Sequence, residues 1–566
     1  MAKSEASVQE LVGMIERGEI RLPEMQRRYV WRATRVRDLL DSLYRGYPSG
    51  AILLWETDSE IPEREFSIAQ QVSPYATNKL LLDGQQRLTS LSSVLRGEPV
   101  KVRGRKKPID ILFNLEHPDA LSLVTEVNEE DGEEDEDLVA DATDDDIQQR
   151  LEQMTFVVST RKLANLPHWV SVTAVFKSTT DTDFLQKAGV SGFDDPRFNK
   201  YQQRLQQLRR IADYKYRMDI LERHLTYEEV TEIFVRVNSL GAKLRGSDLA
   251  MAQITAKWRD SLKVFEGFQA KYAELGFDAE IGTFIRALIC FVTGQSKFLT
   301  VNSLKLEVLK EGWTRTVEGL EYASNYLRSN LGIDSIALLS SPYIFITLAM
   351  FGQQHGYKLS PEQDSRLRRW ILVANAKGRY SRGSSESILD QDLNAITKGS
   401  GIAGMEDNLK QQFGRMSFEP EDLAGRNQRS GLFKTMFLAF REDGAKDWHT
   451  RLAISLSHRG SQHKLQFHHI FPKAVLKGKY ENKQINDIAN LSFISGGTNR
   501  SISAKNPNEY FLKIIAEHGT ELFEKQCVPT DDQLLSVERY DKFLVERRKQ
   551  ISDRLNQFVD HLVKQI

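Results

Sequence analysis

Near the C-terminal end two imidazoles stand side by side, His468-His469, and are followed by Ile470, Phe471 and Pro472. An apolar run led by Asn490 (Leu491-Ser492-Phe493-Ile494) comes next, and then Gly496-Gly497-Thr498-Asn499-Arg500. An imidazole at the end of an apolar strand can take a proton from water near neutral pH, because its unperturbed pKa is about 6.5. His469 suits that role. A neighbouring imidazole and a side-chain amide delivered by a following helix can hold one divalent cation, which would stabilise negative charge building on an attacked phosphate. His468 and Asn499 suit that one. Arg500 and Lys505 follow as candidate contacts to DNA phosphates.

Five of the eleven histidines fall between His449 and His469. The cluster invites a zinc reading, but His449, His458 and His463 have no second His or Cys pair at zinc-finger spacing. They are read as structural or DNA-facing.

A second stretch opens a helix instead of closing a strand. Lys79–Leu82 is apolar, Asp83-Gly84-Gln85-Gln86-Arg87 follows, and Leu88–Leu95 has helical character. Unpaired amides in the first turn of a helix carry partial positive charge, glycine lets the backbone approach closely, and arginine offers a forked, permanently charged donor set. Asp83 could hold a metal beside them. Such a place suits the phosphates of a nucleotide. Upstream lies a loop with amide, cation and aromatic groups, Gln26, Arg27, Tyr29 and Trp31, and downstream Phe234-Val-Arg236-Val-Asn238.

These motifs carry two resemblances. His468-His469-Ile-Phe-Pro472 with Asn490 and Asn499 resembles the one-metal HNH, or His-Me finger, nucleases, in the form with His where many relatives have Asp. That resemblance implies a ββα-metal fold with His469 as general base, His468 and Asn499 as metal ligands, and Asn490 orienting the base loop. It implies Mg²⁺ first, with Mn²⁺ or Ni²⁺ as alternatives because imidazole favours softer ions. The loop at 26–31, the Gly46-Tyr-Pro48 turn, Asp83–Arg87 and the Arg236-x-Asn238 segment together resemble the ParB-like N-terminal domain of modification-dependent restriction proteins of the GmrSD and SspE type. That implies a nucleotide-binding, often NTP-hydrolysing, module that gates a nuclease. Gln26, Arg27, Tyr29, Asp83, Gly84, Gln85, Gln86, Arg87, Arg236 and Asn238 are then its candidate contacts to GTP or ATP, with CTP as a third candidate.

The chain of 566 residues must distribute these sites over several cores. A multidomain α+β protein is expected: a ParB-like α/β domain over 1–250 with an acidic insertion at 126–146, a helical connector over 251–425, and an HNH domain over 426–566 in a mostly helical surround. Periodicity predicts helices over Lys257–Leu275, Glu280–Thr293, Val301–Ser329 and Glu362–Ala376. The insertion holds 13 acidic residues and no Lys or Arg, whereas the region from Arg426 onward has 23 Lys and Arg against 16 Asp and Glu. A net charge of −1 hides that asymmetry. A phosphate polymer favours the basic end. Two cysteines exclude a disulfide framework and fit a reducing cytoplasm. No apolar run is long and uninterrupted enough for a membrane span.

The function expected is that of an antiphage DNA endonuclease of the modification-dependent restriction type, metal-dependent and regulated by NTP binding or hydrolysis. Its partners would be phage DNA, modified or not, a nucleotide, and a second copy or other defence proteins. The alternative is a DNA-sensing NTPase whose HNH fold binds DNA without cutting it.

Overall fold

All four side chains of Ile52-Leu53-Leu54-Trp55 are buried, with Ile52 and Leu54 in one hydrophobic cluster and Leu53 and Trp55 in another. A strand apolar on both faces belongs inside a sheet covered on both sides. The computed structural model places it there. The structure describes residues 2–564 except 25, 27–30, 59–62, 65–78, 103–104, 106, 120–150, 191, 241–244, 382, 460–461, 466 and 503–504. The acidic segment 126–146 therefore lies outside the described residues.

The chain divides into two compact units, 1–260 and 261–566. In the first, strands β1 (Ala2–Ser7), β2 (Ile20–Pro23), β3 (Ile52–Glu56), β4 (Glu63–Arg64) and β5 (Lys79–Asp83) precede a three-stranded sheet of β6 (Ile111–Asn114), β7 (Phe156–Val158) and β8 (Trp169–Ser171), and β9 (Lys215–Leu221) follows it. The main sheet runs β1-β9-β3-β5-β2-β4, with β9–β3 and β5–β2 parallel and the other pairs antiparallel. One face is covered by helices Val8–Glu16, Ala33–Tyr44, Gln85–Leu95 and Phe198–Arg209, the other by Tyr227–Leu240 and Ala252 of the next helix. The first helix starts where Ser7 and Glu10 cap each other reciprocally.

The helix expected over Lys257–Leu275 begins only at Ser261. Asp260 takes a left-handed backbone, φ 63°, and its N–H donates to the Glu24 carboxylate at 3.0 Å, so the chain turns where periodicity alone reads through. The other helices run Ile281–Thr293, Leu306–Leu331 and Pro361–Lys377. A 3₁₀ segment, Phe298–Ser303, occupies the start of the third expected one. After them, Arg379 makes a buried two-bond pair with Asp392 at 2.6 and 2.8 Å, and the Tyr380 hydroxyl donates to the same carboxylate at 2.7 Å. Both thiols are buried, and burial raises each above the usual range.

The last part of this unit has β10 (Leu456–Arg459) paired with β11 (Gln462–Leu465), then β12 (His468–His469) paired with β13 (Leu491–Ser492). Its core gathers Trp448, Ile470, Phe471, Tyr510, Phe511, Phe523, Tyr540 and Phe543. Among the described residues no helix is long and apolar enough to cross a membrane.

Candidate functional site

His468 lies opposite Ser492 and His469 opposite Leu491 in a two-residue antiparallel ladder. The ladder is short because Ile470 and Phe471 leave it to enter the core, both fully buried. Asn490 fixes that exit. Its backbone carbonyl accepts from Ile470 N–H at 2.7 Å, its side-chain oxygen accepts from Phe471 N–H at 2.8 Å, and its amide donates to Phe471 O at 3.1 Å and Ile485 O at 3.0 Å. With no exposed surface, Asn490 holds the turn that follows the two histidines and is closed to any ligand.

The Asn490 turn is itself held from the C-terminal helix Tyr540–Lys564. The Arg547 guanidinium is fully buried and donates to the carbonyls of Ala489 (2.7 Å), Cys527 (3.0 Å) and Gln526 (3.2 Å); burial draws its pKa down to about 10. Next to it Arg548 pairs at 2.6 Å with buried Asp487, which also accepts from Gly425 N–H and Ala489 N–H.

His469 is half-buried, and its Nε2 stands 3.1 Å from Asn486 Oδ1. Asn486 points its amide NH₂ at Asn482 O, 3.1 Å away, so its oxygen is the group turned to the imidazole. In the neutral ring Nε2 then carries the hydrogen and Nδ1 is the basic nitrogen. His468 is also half-buried; burial lowers its pKa, and the Asp447 carboxylate opposes this only in part. A neutral imidazole at pH 7 is the form that ligates metals.

Asp447 ties the strand pair to the helix that follows. One carboxylate oxygen accepts from Ser495 N–H at 2.6 Å; the other accepts from the Thr498 hydroxyl at 2.6 Å and from Thr450 and His449. Burial pushes this carboxyl up, but the donated hydrogen bonds outweigh it and hold the pKa at about 2. Thr498 directly precedes Asn499 in helix Gly496–Ile502, and Asn499 is half-exposed. An anionic carboxylate thus faces both His468 and the helix carrying Asn499. An imidazole nitrogen and an amide oxygen are donor types that divalent cations take. Lys505 is exposed, 3.4 Å from Ser501 O; the Arg500 side chain lies outside the described residues.

In the first unit Gly84 caps the helix Gln85–Leu95 with φ 100°, and a Cβ there would stand 2.4 Å from Ile52 Cδ1. Arg87 does not project into solvent. Its guanidinium donates to Ser49 O (2.5 Å), Ala51 O (2.8 Å) and the Asp83 carboxylate (3.1 Å), and lies over the Tyr216 ring. Gly50 beside it takes a left-handed backbone, φ 91°, which favours glycine, and a Cβ there would come within 2.5 Å of the guanidinium. Buried Gln26 donates to the carbonyls of Leu81 and Leu82, and the Gln86 oxygen accepts from Trp31 N–H at 3.3 Å. Buried Gln85 keeps its side-chain oxygen without a hydrogen-bond partner among the described residues. Arg236 is exposed and pairs with Glu232 on helix Tyr227–Leu240, which covers the opposite face of the sheet from Gln85–Leu95. Arg27, Tyr29 and the side chain of Asn238 lie outside the described residues.

Residues 8–255 match the family model described as GmrSD restriction endonuclease, N-terminal domain. The match takes in the Asp83–Arg87 turn and the helix carrying Arg236, and ends just short of the Asp260 break. The His468–Asn499 element lies beyond it. An uncharacterized protein of Methanocaldococcus jannaschii is 25% identical to this chain over an alignment covering 97% of this chain and 93% of that protein. That likeness runs through both units.

Asn486, Asp447 and Arg547 were not legible as site residues. Asn486 sits in a polar stretch that reads as loop, Asp447 precedes the two histidines by a whole hairpin, and Arg547 is one cation among many on an amphipathic helix.

Proposed function

We propose that this chain is a restriction-type DNA endonuclease whose phosphodiester cleavage is carried by the His468–Asn499 element, and whose first unit binds a nucleotide and regulates cutting. The observation that carries the nuclease reading is His469 with Nε2 against the Asn486 oxygen, on a strand stapled by Asn490. In that state Nδ1 takes a proton from water as the water oxygen attacks phosphorus, the P–O bond to the leaving sugar oxygen breaks with that oxygen taking a proton from solvent, and the Asn486 oxygen steadies the imidazolium that results. A divalent cation held by His468 and Asn499, Mg²⁺ first and Mn²⁺ or Ni²⁺ otherwise, would supply positive charge for the phosphate in its transition state. Asp447 supports this reading, since it is bonded to Thr498, next to Asn499, and its charge acts on His468. The excess of Lys and Arg from residue 426 onward favours DNA.

The name of the matched domain supports the restriction reading. For the nucleotide, the first-turn amides at Gln85 and Gln86 and the left-handed Gly84 remain the phosphate-facing features. Arg87 then acts by holding the Ser49–Ala51 loop, and the choice among GTP, ATP and CTP falls to groups around that loop.

Nicking of supercoiled plasmid with Mg²⁺ or Mn²⁺ tests the reading. His469→Ala should lower the rate by about 10²- to 10⁴-fold, the usual contribution of a general base. Undiminished cleavage by the pure variant would refute the assignment.

A further inference from the structure

A second group of ligating side chains lies apart from the His468–Asn499 element. His449, Glu517 and His518 each bring one ligand atom to within 4.8 Å of the others. His449 and Glu517 are exposed and His518 is half-buried, and the Glu517 carboxylate already stands 3.7 Å from His518 Nε2. Spacing along the chain hides this set, because His449 sits before the hairpins and its two partners close the helix Pro507–His518. Folding joins them through Trp448, which packs against Tyr510, Phe511 and Phe523.

We propose that His449, Glu517 and His518 form a zinc site. Two imidazoles and one carboxylate, with a water in the fourth position, are a donor set that zinc takes in tetrahedral geometry. Zinc–ligand bonds near 2.0–2.1 Å place tetrahedral donors about 3.3 Å apart, so the group has to contract by up to about 1.5 Å. Exposed Glu517 and His449 side chains can make that movement by rotamer change. Position adds a second argument. His518 is the last residue of its helix, where the unpaired carbonyls carry partial negative charge and favour a cation.

The ion would act on the neighbouring site through the backbone. His449 N–H donates to Asp447 Oδ1 at 3.1 Å, and the same oxygen accepts from Thr498. Zinc would therefore clamp the Asp447 turn to the end of helix Pro507–His518, and steady the carboxylate facing His468 and the Asn499 helix. This site stands independently of whether the chain cuts DNA.

Calorimetric titration of chelator-treated full-length protein with zinc chloride tests it. The parent should take up one zinc ion that the His449→Ala/His518→Ala variant loses, with Kd weakened at least about 100-fold, beyond the effect of disturbing an outer partner alone. The His468→Ala/Asn499→Ala variant should keep that ion. Glu517→Gln, which preserves shape, should weaken binding by about 10-fold and guards against a misfolded double variant. Zinc binding unchanged in both His449→Ala/His518→Ala and Glu517→Gln, or no uptake by the parent at micromolar zinc, overturns the proposal.

Discussion

Asn486 decides what His469 can do. A half-buried imidazole with no fixed partner divides its time between two tautomers, and only one presents Nδ1 as an acceptor. The Asn486 oxygen selects that one because its amide is occupied by Asn482 O. Asn486→Ala should lower kcat for plasmid nicking by about 10- to 100-fold with KM little changed, and shift the acid limb of the pH–rate profile. Asn486→Asp, which keeps an acceptor oxygen in place, should recover most of the rate. An alanine variant with parental kcat and pH profile would remove Asn486 from the site. The residue types and order of His468, His469 and Asn499 could be read from sequence because chemistry restricts what such neighbours are good for. Asn486 and Asp447 could not, since an amide and a carboxylate have many ordinary uses and only their partners in space distinguish them.

At the scale of elements, the first unit contains a titratable joint between helix Ala33–Tyr44 and the loop after β6. His117 is buried, with Nδ1–H donating to Pro118 O at 2.9 Å and Nε2 accepting from the Tyr44 hydroxyl at 3.1 Å. Burial pulls its pKa down to about 4, and burial pushes that of Tyr44 up to about 12. Between pH 6.5 and 4 the unfolded chain binds a proton at this position and the folded one does not, so stability falls as pH falls through that window. Thermal unfolding at pH 7.5 and 5.0 should show the drop, and His117→Gln, which cannot titrate, should flatten it; equal slopes would exclude His117 as the cause. The double-faced apolar strand at 52–55 announced itself in sequence by continuous hydrophobicity. The role of Arg87 did not: its forked donors were plain, but the carbonyls of Ser49 and Ala51 that accept from them come from a turn far along the chain.

At the scale of the whole molecule, the two readings from sequence fall in different units, and gating can be separated from assembly. Among the described residues, the groups that hold the His468–Asn499 element include Asp447, Asn486, Asp487, Tyr510, Gln526 and Arg547, and these belong to 261–566. The core beneath them, from Trp448 to Leu544, also belongs there. The clusters at 6–220, 53–256 and 448–544 each draw their residues from one unit. A fragment beginning at Ser261 should therefore fold cooperatively and nick plasmid DNA in the presence of divalent metal, and added nucleotide should leave its rate unchanged. Full-length protein under the same conditions should respond to nucleotide. Circular dichroism with a melting curve and the nicking assay on both chains read this out. A folded fragment that fails to cut would mean that the first unit completes the active site and does not merely regulate it.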